Sequence, residues 1–116
     1  MLKRVLVTDG MDASAVAKLR EDGYEVTEQF YEPDALGPAL RDFDAVIIRS
    51  ATKIKEPQID AARGGKLKLI IRAGVGMDNI AIPCAEAAGI AVRNTPRASS
   101  NAVAELALAL LFSCAR

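Results

Sequence analysis

The sequence predicts an α/β fold in which helices flank a mostly parallel sheet of about five strands. Short apolar runs alternate along the chain with segments of helical period, and glycine or proline separates one from the next. This spacing is typical of βαβ units, and about five strands in a chain of this length fit the flavodoxin-like order 2-1-3-4-5. Hydrophobic residues make up 51% of the 116 residues, enough to bury a core without disulfides.

The first elements are predicted from hydrophobic period and from residues that end helices. Lys3–Thr8 has the continuous apolar character of a buried strand, and Met11–Asp22 has apolar residues at helical spacing. Asp12 is a candidate N-cap, and Gly23 is expected to end this helix because glycine readily adopts a positive φ.

The next elements follow the same alternation. Tyr24–Gln29 alternates apolar and polar residues and predicts a second strand. Pro33–Arg41 predicts a short helix, although Gly37 and Pro38 interrupt it. Asp44–Arg49 predicts a third, buried strand.

The remaining elements complete the sheet. They are a helix over Glu56–Arg63, a strand over Leu67–Ile71, a helix over Ile82–Ala88 and a strand over Ile90–Val92. Pro57 is expected at the first helical position, where the amide that proline lacks needs no partner. Two glycines, Gly64 and Gly65, end that helix, and Gly89 ends the later one.

The C-terminal segment departs from this pattern. Ala102–Ala115 is apolar almost all round, and Glu105 is its only charged residue. An α-helix of this kind must be buried on every side, so we expect it to pack against another subunit and against chain that follows Arg116. The chain therefore divides into an α/β unit, residues 1–97, and a helix over residues 98–116.

Composition narrows the classes of partner. Lys and Arg total 15, as do Asp and Glu, so the formal net charge is zero and no nucleic-acid or membrane partner is expected. The first strand is predicted to begin at once, so we expect no signal peptide, and Cys84 and Cys114 lie in no ligand spacing. We therefore expect a cytoplasmic protein with ordinary thiols. The absence of histidine argues against a metal site and against proton transfer by residues of this chain.

Sites in parallel α/β sheets lie at the carboxyl ends of the strands, which nominates three loops. They are Thr8–Asp12, Arg49–Lys55 and Arg72–Asn79. The first is the weakest candidate, because Asp9 in such a turn is typically a local cap.

Gly74-Val75-Gly76 resembles the start of a dinucleotide-binding loop, but Asn79 stands where the third glycine is needed. The loop also follows the fourth strand rather than the first, so we exclude a Rossmann phosphate loop. Its exposed amides predict a nest for a small anion such as a carboxylate. A glycine turn that only reverses the chain is the alternative.

Two arginines are expected to line one crevice at the same edge. Arg49, with Ser50 and Thr52 behind it, offers a planar fork and hydroxyl groups suited to a carboxylate or phosphate. Arg72 ends the neighbouring predicted strand. The alternative is two ordinary surface arginines at strand ends.

Four stretches occur in an order that one enzyme family shares. They are Arg49-Ser50-Ala51-Thr52, Arg72-Ala73-Gly74-Val75-Gly76-Met77-Asp78-Asn79-Ile80, Asn94-Thr95-Pro96 and Val103-Ala104-Glu105. Over essentially the whole chain they resemble the amino-terminal part of the D-isomer-specific 2-hydroxyacid dehydrogenases. The first stretch is most similar to the members that oxidise 3-phosphoglycerate to 3-phosphohydroxypyruvate on the route to serine.

The resemblance implies roles for the candidate residues. Residues 1–97 are then a substrate-binding segment, in which the Gly74-Val75-Gly76 backbone binds the substrate carboxylate, and residues 98–116 lead to an absent nucleotide-binding domain and form a homodimer interface. Val75 and Val103 approach the nicotinamide of NAD. The substrate pocket is completed by the polar residues Arg49, Ser50, Arg72 and Asn79.

Departures from the family pattern limit this assignment. The family's nucleotide loop and its catalytic arginine, glutamate and histidine are expected after Arg116, so no catalytic residue is assigned here and the isolated segment is expected to be inactive. Val75 stands where relatives often carry a hydroxyl, and Ala51 where some carry a second arginine. A non-enzymatic, NAD-sensing member of the family is one alternative. A response-regulator receiver is another, disfavoured because the third strand ends in Arg49 rather than aspartate.

Overall fold

The computed structural model describes residues 4–10, 13–49, 51–73 and 78–95, and in them five parallel strands have the order β2-β1-β3-β4-β5. The strands are β1 (Arg4–Val7), β2 (Glu25–Glu28), β3 (Ala45–Ile48), β4 (Leu69–Ala73) and β5 (Ala91–Thr95). The helices are α1 (Ala13–Glu21), α2 (Pro33–Leu40), α3 (Glu56–Ala62) and α4 (Ile82–Ala87). The predicted α/β class and strand order are confirmed.

The strand β4 lies further along the chain than the sequence pattern predicts. It begins at Leu69 and ends at Ala73, whereas the prediction was Leu67–Ile71. Pairing sets this register, because Leu69 lies opposite Ala45 at the start of β3. Arg72 is therefore inside the strand rather than beyond its end, between β3 and β5. The strand β5 is longer than predicted for the same reason, since it follows β4 to its last residue.

Alternate side chains of the strands enter two cores, one on each face of the sheet. One core joins α1 to the sheet through Val16 and Leu19. The other joins α2, α3 and α4 to it, and its strand residues are Leu6, Val46, Ile48, Ile70 and Val92. Both faces of the sheet are buried, as the continuous apolar runs of parallel strands predict.

The helix α2 runs through Gly37 and Pro38, which the sequence marks as an interruption. Gly37 is buried against α3, and a Cβ atom at this position would lie 2.6 Å from Ala61 Cβ. The glycine is thus a packing residue in a continuous helix. Pro57 is the second residue of α3, one place after its predicted position.

Some predictions fall outside the described residues. They concern the cap Asp12, the apolar helix over Ala102–Ala115 and the domain boundary near residue 97.

In the part of the chain that the structure describes, helices of six to nine residues are too short to cross a bilayer. Gly23 ends α1 with φ of 95°, as predicted.

Candidate functional site

The carboxyl ends of β1, β3 and β4 are adjacent in the sheet, and the candidate residues converge there. Thr8 and Asp9 follow β1, Arg49 follows β3, and Arg72 is the penultimate residue of β4. Because all the strands are parallel, these positions share one edge of the sheet. The topology therefore places the first and second nominated loops side by side.

Asp9 binds the loop that follows β3. Its Oδ2 accepts hydrogen bonds from the backbone N–H of Arg49 at 2.7 Å and of Thr52 at 3.1 Å. Its Oδ1 accepts from the Thr52 hydroxyl at 2.5 Å. The side chain thus bridges residues about 40 positions away. The interpretation of Asp9 as a local cap stays a prediction, because residues 11 and 12, which such a cap would bind, lie outside the described residues.

Two threonine hydroxyls extend this contact into the protein. Thr52 is 2% exposed and Thr8 5% exposed, and their Oγ1 atoms lie 2.8 Å apart. Since the Asp9 carboxylate only accepts, the Thr52 hydroxyl donates to it and the Thr8 hydroxyl donates to Thr52. Both buried hydroxyls are satisfied by this chain of bonds, which ties β1 to the loop after β3.

Asn79 holds the same loop from the other side. Its Nδ2 donates to the carbonyl oxygens of Arg49 at 2.9 Å and Thr52 at 2.8 Å. Its Oδ1 accepts from Arg72 Nε at 3.3 Å. Both amide hydrogens are used within the protein, so the structure gives Asn79 a supporting role, and its direct contact with substrate stays a prediction.

The backbone around Asn79 is also attached to the loop after β3. Ile54 and Ile80 form a parallel bridge, in which Ile54 N–H donates to Asn79 O and Ala81 N–H donates to Ile54 O, each at 2.8 Å. Lys55 Nζ donates to the Asp78 carbonyl. Residues 78–81, just before α4, are therefore joined to the loop after β3 at this edge.

The two arginines differ in how their guanidinium groups are placed. Arg72 is half-buried, and its Nη1 donates to the Ala73 carbonyl at 2.6 Å. Arg49 is exposed, and among the described residues its guanidinium makes no hydrogen bond or ion pair. Within the described residues, Arg49 thus offers an unpaired planar fork at the edge of the sheet, whereas Arg72 is partly engaged by Asn79 and Ala73.

A cleft of about 280 Å³ adjoins this edge, between the segment after β2 and the loop after β3. It is lined by Phe30, Tyr31, Glu32, Pro33, Leu36, Ala51, Thr52 and Lys53. Phe30 is 50% exposed there. Arg49, Arg72 and Asn79 do not line the cleft, so it borders the arginine site through Thr52 rather than containing it.

Five predicted site residues lie outside the described part of the chain. They are Ser50, Gly74, Val75, Gly76 and Val103. The amide nest and the approach to the nicotinamide therefore stay predictions. Valine side chains offer apolar surface to a nicotinamide ring and no hydrogen bond to its carboxamide, which is compatible with packing alone.

Sequence reasoning missed the roles of Thr8 and Asp9. The position of Thr8-Asp9-Gly10 at a strand's carboxyl end was the available signal, and it nominated the loop without its partners. Those partners depend on which strand lies beside β1, and no local pattern contains that information. The arginines Arg49 and Arg72, by contrast, lie at one edge of the sheet as predicted, while the crevice that both were expected to line stays a prediction.

Comparison with known proteins places this geometry in context. The family model described as "D-isomer specific 2-hydroxyacid dehydrogenase, catalytic domain" matches residues 5–113. The chain is 44% identical over 114 residues to a hydroxypyruvate reductase of Thermotoga maritima, covering 97% of this chain and 37% of that protein. It is 40% identical over 113 residues to a D-3-phosphoglycerate dehydrogenase of Methanocaldococcus jannaschii, covering 97% of this chain and 21% of the relative.

A solved structure agrees with these relatives. The NAD+-bound 3-phosphoglycerate dehydrogenase of Entamoeba histolytica superimposes with a TM-score of 0.67 at 33% identity, over 82% of this chain and 33% of that one. The chain spans only 37% and 21% of the length of the two curated relatives above.

Proposed function

The chain belongs to the D-isomer specific 2-hydroxyacid dehydrogenase family, and we propose that it is the substrate-binding segment of an NAD-dependent member. The proposed substrate is 3-phosphoglycerate, oxidised to 3-phosphohydroxypyruvate on the route to serine. The observation that carries the proposal is the exposed guanidinium of Arg49 at the carboxyl edge of the sheet, which has no partner in the part of the chain that the structure describes. Its backbone is held on both sides while its charge is left for a ligand.

The chemistry of the substrate suits this edge. A phosphorylated 2-hydroxy acid has an anionic group at each end, and a guanidinium binds either carboxylate or phosphate with paired hydrogen bonds. We assign Arg49 and Ser50 to the anion at one end. The amides of Gly74-Val75-Gly76, with Arg72 near the carboxyl end of β4, are assigned to the carboxylate.

The role of this segment is orientation. Oxidation at C2 removes a hydride and the hydroxyl proton and gives a 2-oxo acid; NAD supplies the hydride acceptor. With both anionic ends held, C2 has one face available to that acceptor, which is catalysis by positioning. The proton acceptor is assigned to a histidine outside this segment, since the sequence has none.

The remaining features of the proposal concern the whole protein. We place the nucleotide-binding domain and the catalytic arginine, glutamate and histidine in further chain, and a homodimer interface in residues 98–116. The proposed enzyme is cytoplasmic. An NAD-binding module without dehydrogenase activity is the rival, and it predicts nucleotide binding with no turnover of any 2-hydroxy acid.

Hydroxypyruvate is a second candidate substrate, reduced in the reverse direction to glycerate. The T. maritima relative, at 44% identity, is named for this activity. Ala51 also favours it, because alanine has no charge to offer a phosphate. The two substrates share a carboxylate and differ in the phosphate, so the effect of Arg49 on each tells them apart.

The test is steady-state kinetics of the full-length protein with Arg49→Ala. Loss of a charge-assisted contact of about 1.5–3 kcal/mol is expected to raise KM for 3-phosphoglycerate at least about tenfold and to leave KM for NAD unchanged. Arg63→Ala is the matched control, because Arg63 is an exposed arginine after α3, at the opposite edge of the sheet.

Comparison of phosphorylated and unphosphorylated substrate completes the test. If Arg49 binds phosphate, the variant loses more kcat/KM with 3-phosphoglycerate than with glycerate. Equal losses assign Arg49 to the shared carboxylate and favour the second candidate. An Arg49→Ala enzyme with unchanged constants for both substrates contradicts the proposed site.

A further inference from the structure

We propose that Asp9 and Asn79 form a clamp that positions Arg49 for the substrate. The inference rests on the proposed function, because it gives Arg49 its ligand, and it assigns a role to two residues that need not touch that ligand. The clamp is defined as the Asp9 carboxylate, the Asn79 amide and the backbone of Arg49 and Thr52 between them.

On one side of the clamp, the Asp9 carboxylate accepts hydrogen bonds from the loop after β3. It accepts the backbone N–H of Arg49 at 2.7 Å and that of Thr52 at 3.1 Å. Hydrogen bonds to an ionised acceptor are stronger than those between neutral groups. A third donor, the Thr52 hydroxyl, reaches the other oxygen at 2.5 Å, so both oxygens of Asp9 are committed to this one loop.

On the other side of the clamp, the Asn79 amide donates hydrogen bonds to the same two residues, Arg49 and Thr52. Its Nδ2 donates to the carbonyl oxygens of Arg49 and Thr52, at 2.9 and 2.8 Å. The peptide groups on both sides of the loop are therefore fixed, by a carboxylate after β1 and an amide after β4. Fixing N–H and C=O of one residue leaves its Cα–Cβ direction little freedom.

The consequence falls on Arg49 because its guanidinium has no partner of its own among the described residues. The direction in which its side chain leaves the loop then depends on the clamped backbone. Asn79 Oδ1 also accepts from Arg72 Nε at 3.3 Å, so one amide side chain relates the positions of both arginines. This arrangement is suited to holding a set distance between two anion-binding groups.

The same hydrogen bonds could serve only to stabilise the fold. A double-mutant cycle distinguishes that role from the positioning of Arg49. The variants are Asp9→Asn, Arg49→Ala and their combination in the full-length protein. Asp9→Asn keeps the shape but puts an NH2 group among three donors, so no orientation satisfies all of them. We expect KM for the 2-hydroxy acid to rise about tenfold, with KM for NAD unchanged.

The combined variant shows whether the effect of Asp9→Asn on kcat/KM depends on Arg49. If Asp9 acts through Arg49, then Asp9→Asn added to Arg49→Ala changes kcat/KM by less than about twofold. Multiplying losses would mean that Asp9 acts independently of Arg49, and that result overturns the inference. Asp42→Asn is the matched control, because Asp42 is exposed and follows α2 at the opposite edge of the sheet.

Hydrogen exchange gives a readout that needs no catalysis. In Asp9→Asn, exchange in a peptide that spans residues 47–54 is expected to speed up, while a peptide from α3 keeps its wild-type rate. Asn79→Asp serves as a second variant if Asp9→Asn does not fold, since a carboxylate there repels the two carbonyl oxygens. Unchanged exchange in the folded variant overturns the clamp.

The two proposals fail in different ways. If the full-length protein oxidises no 2-hydroxy acid, the proposed function is wrong, and exchange at residues 47–54 then decides the clamp alone. If the protein is active and Arg49→Ala raises KM, but the combined variant shows multiplied losses, the function stands and the positioning role falls.

Discussion

Single residues at the carboxyl edge show how the same chemical group takes different roles. Arg49 lies just after β3 and Arg72 lies inside the adjacent strand β4, and among the described residues only the Arg72 guanidinium has partners, Asn79 and Ala73. The difference lies in register, because Arg72 is inside β4 and Arg49 is beyond β3. An arginine just past a strand end is therefore the better candidate for ligand binding.

Tyr24 gives a prediction at the same scale. Burial, with a smaller contribution from the Asp22 carboxylate, raises the pKa of the Tyr24 phenol above its ordinary value of 10.0. The unfolded chain releases this proton first as pH rises, so stability is retained below pH about 10 and declines as the pH climbs through the folded-state pKa. Unfolding in urea at pH 9 and pH 11 measures the decline.

Variants identify the source of that pH dependence. Tyr24→Phe has no phenol to ionise and is expected to lose less stability between the two pH values than the wild-type protein. Asp22→Asn is expected to reduce the decline only slightly, because burial is the larger cause. Equal declines in wild type and Tyr24→Phe would show that other groups govern alkaline unfolding.

Residue-level roles were predicted from sequence only where they depend on local pattern. Gly23 as a helix stop is confirmed, since a positive φ after an apolar-periodic segment is a local feature. The partners of Asp9 could not be predicted in this way, because the acceptor and its donors are 40 and 43 residues apart. The sequence pattern nominated the loop that contains Asp9, but the contacts of Asp9 depend on which strands are neighbours in the folded sheet.

Helix packing provides the prediction at the scale of elements. The helices α2 and α3 approach closely where Gly37 faces Ala61, and a Cβ at Gly37 would also lie 3.2 Å from the Gln58 carbonyl oxygen. Gly37→Ala gains about 1 kcal/mol of helix propensity, but overpacking costs about 1–3 kcal/mol. Because backbone atoms are among the contacts, we expect net destabilisation, measured by urea unfolding.

Relief of the contact tests the cause. Gly37→Ala combined with Ala61→Gly is expected to be more stable than the sum of the two single changes, since the closest approach, 2.6 Å between Cβ atoms, is removed. Additive changes would instead place the strain in the contact with Gln58.

The α2 helix itself was predicted correctly, but its glycine was interpreted as an interruption because the sequence does not show which helix packs there.

Strand order is the element-level feature that sequence predicts best here. Period, length and the glycine and proline punctuation are all local, and the parallel βαβ connection leaves few topologies to choose from. The limits of β4 were wrong by two residues at each end, since the pairing with β3 rather than hydrophobicity sets them. That shift moved Arg72 from a loop into a strand.

At the scale of the whole molecule, the proposal that this segment binds the substrate while further chain holds the catalytic groups is itself testable. The isolated 116-residue chain is expected to form no NADH from 3-phosphoglycerate, because no histidine is present to accept the hydroxyl proton. Absorbance at 340 nm measures the product, with the full-length protein as control. Turnover by the isolated, folded chain would show that the catalytic groups lie within these 116 residues and would contradict the proposal.

The long reach of the clamp also links binding to folding. Its bonds join residues that are 27, 30, 40 and 43 positions apart, so no short peptide of this protein contains both halves of any one of them. Closing loops of this length costs entropy before the contact forms, and the cost is met only when β1, β3 and β4 are already paired. The clamp is therefore expected to form only together with the sheet. A substitution that loosens the β1–β3 pairing, at any distance from the arginines, is expected to weaken the proposed anion binding in proportion to the fraction of molecules that open there.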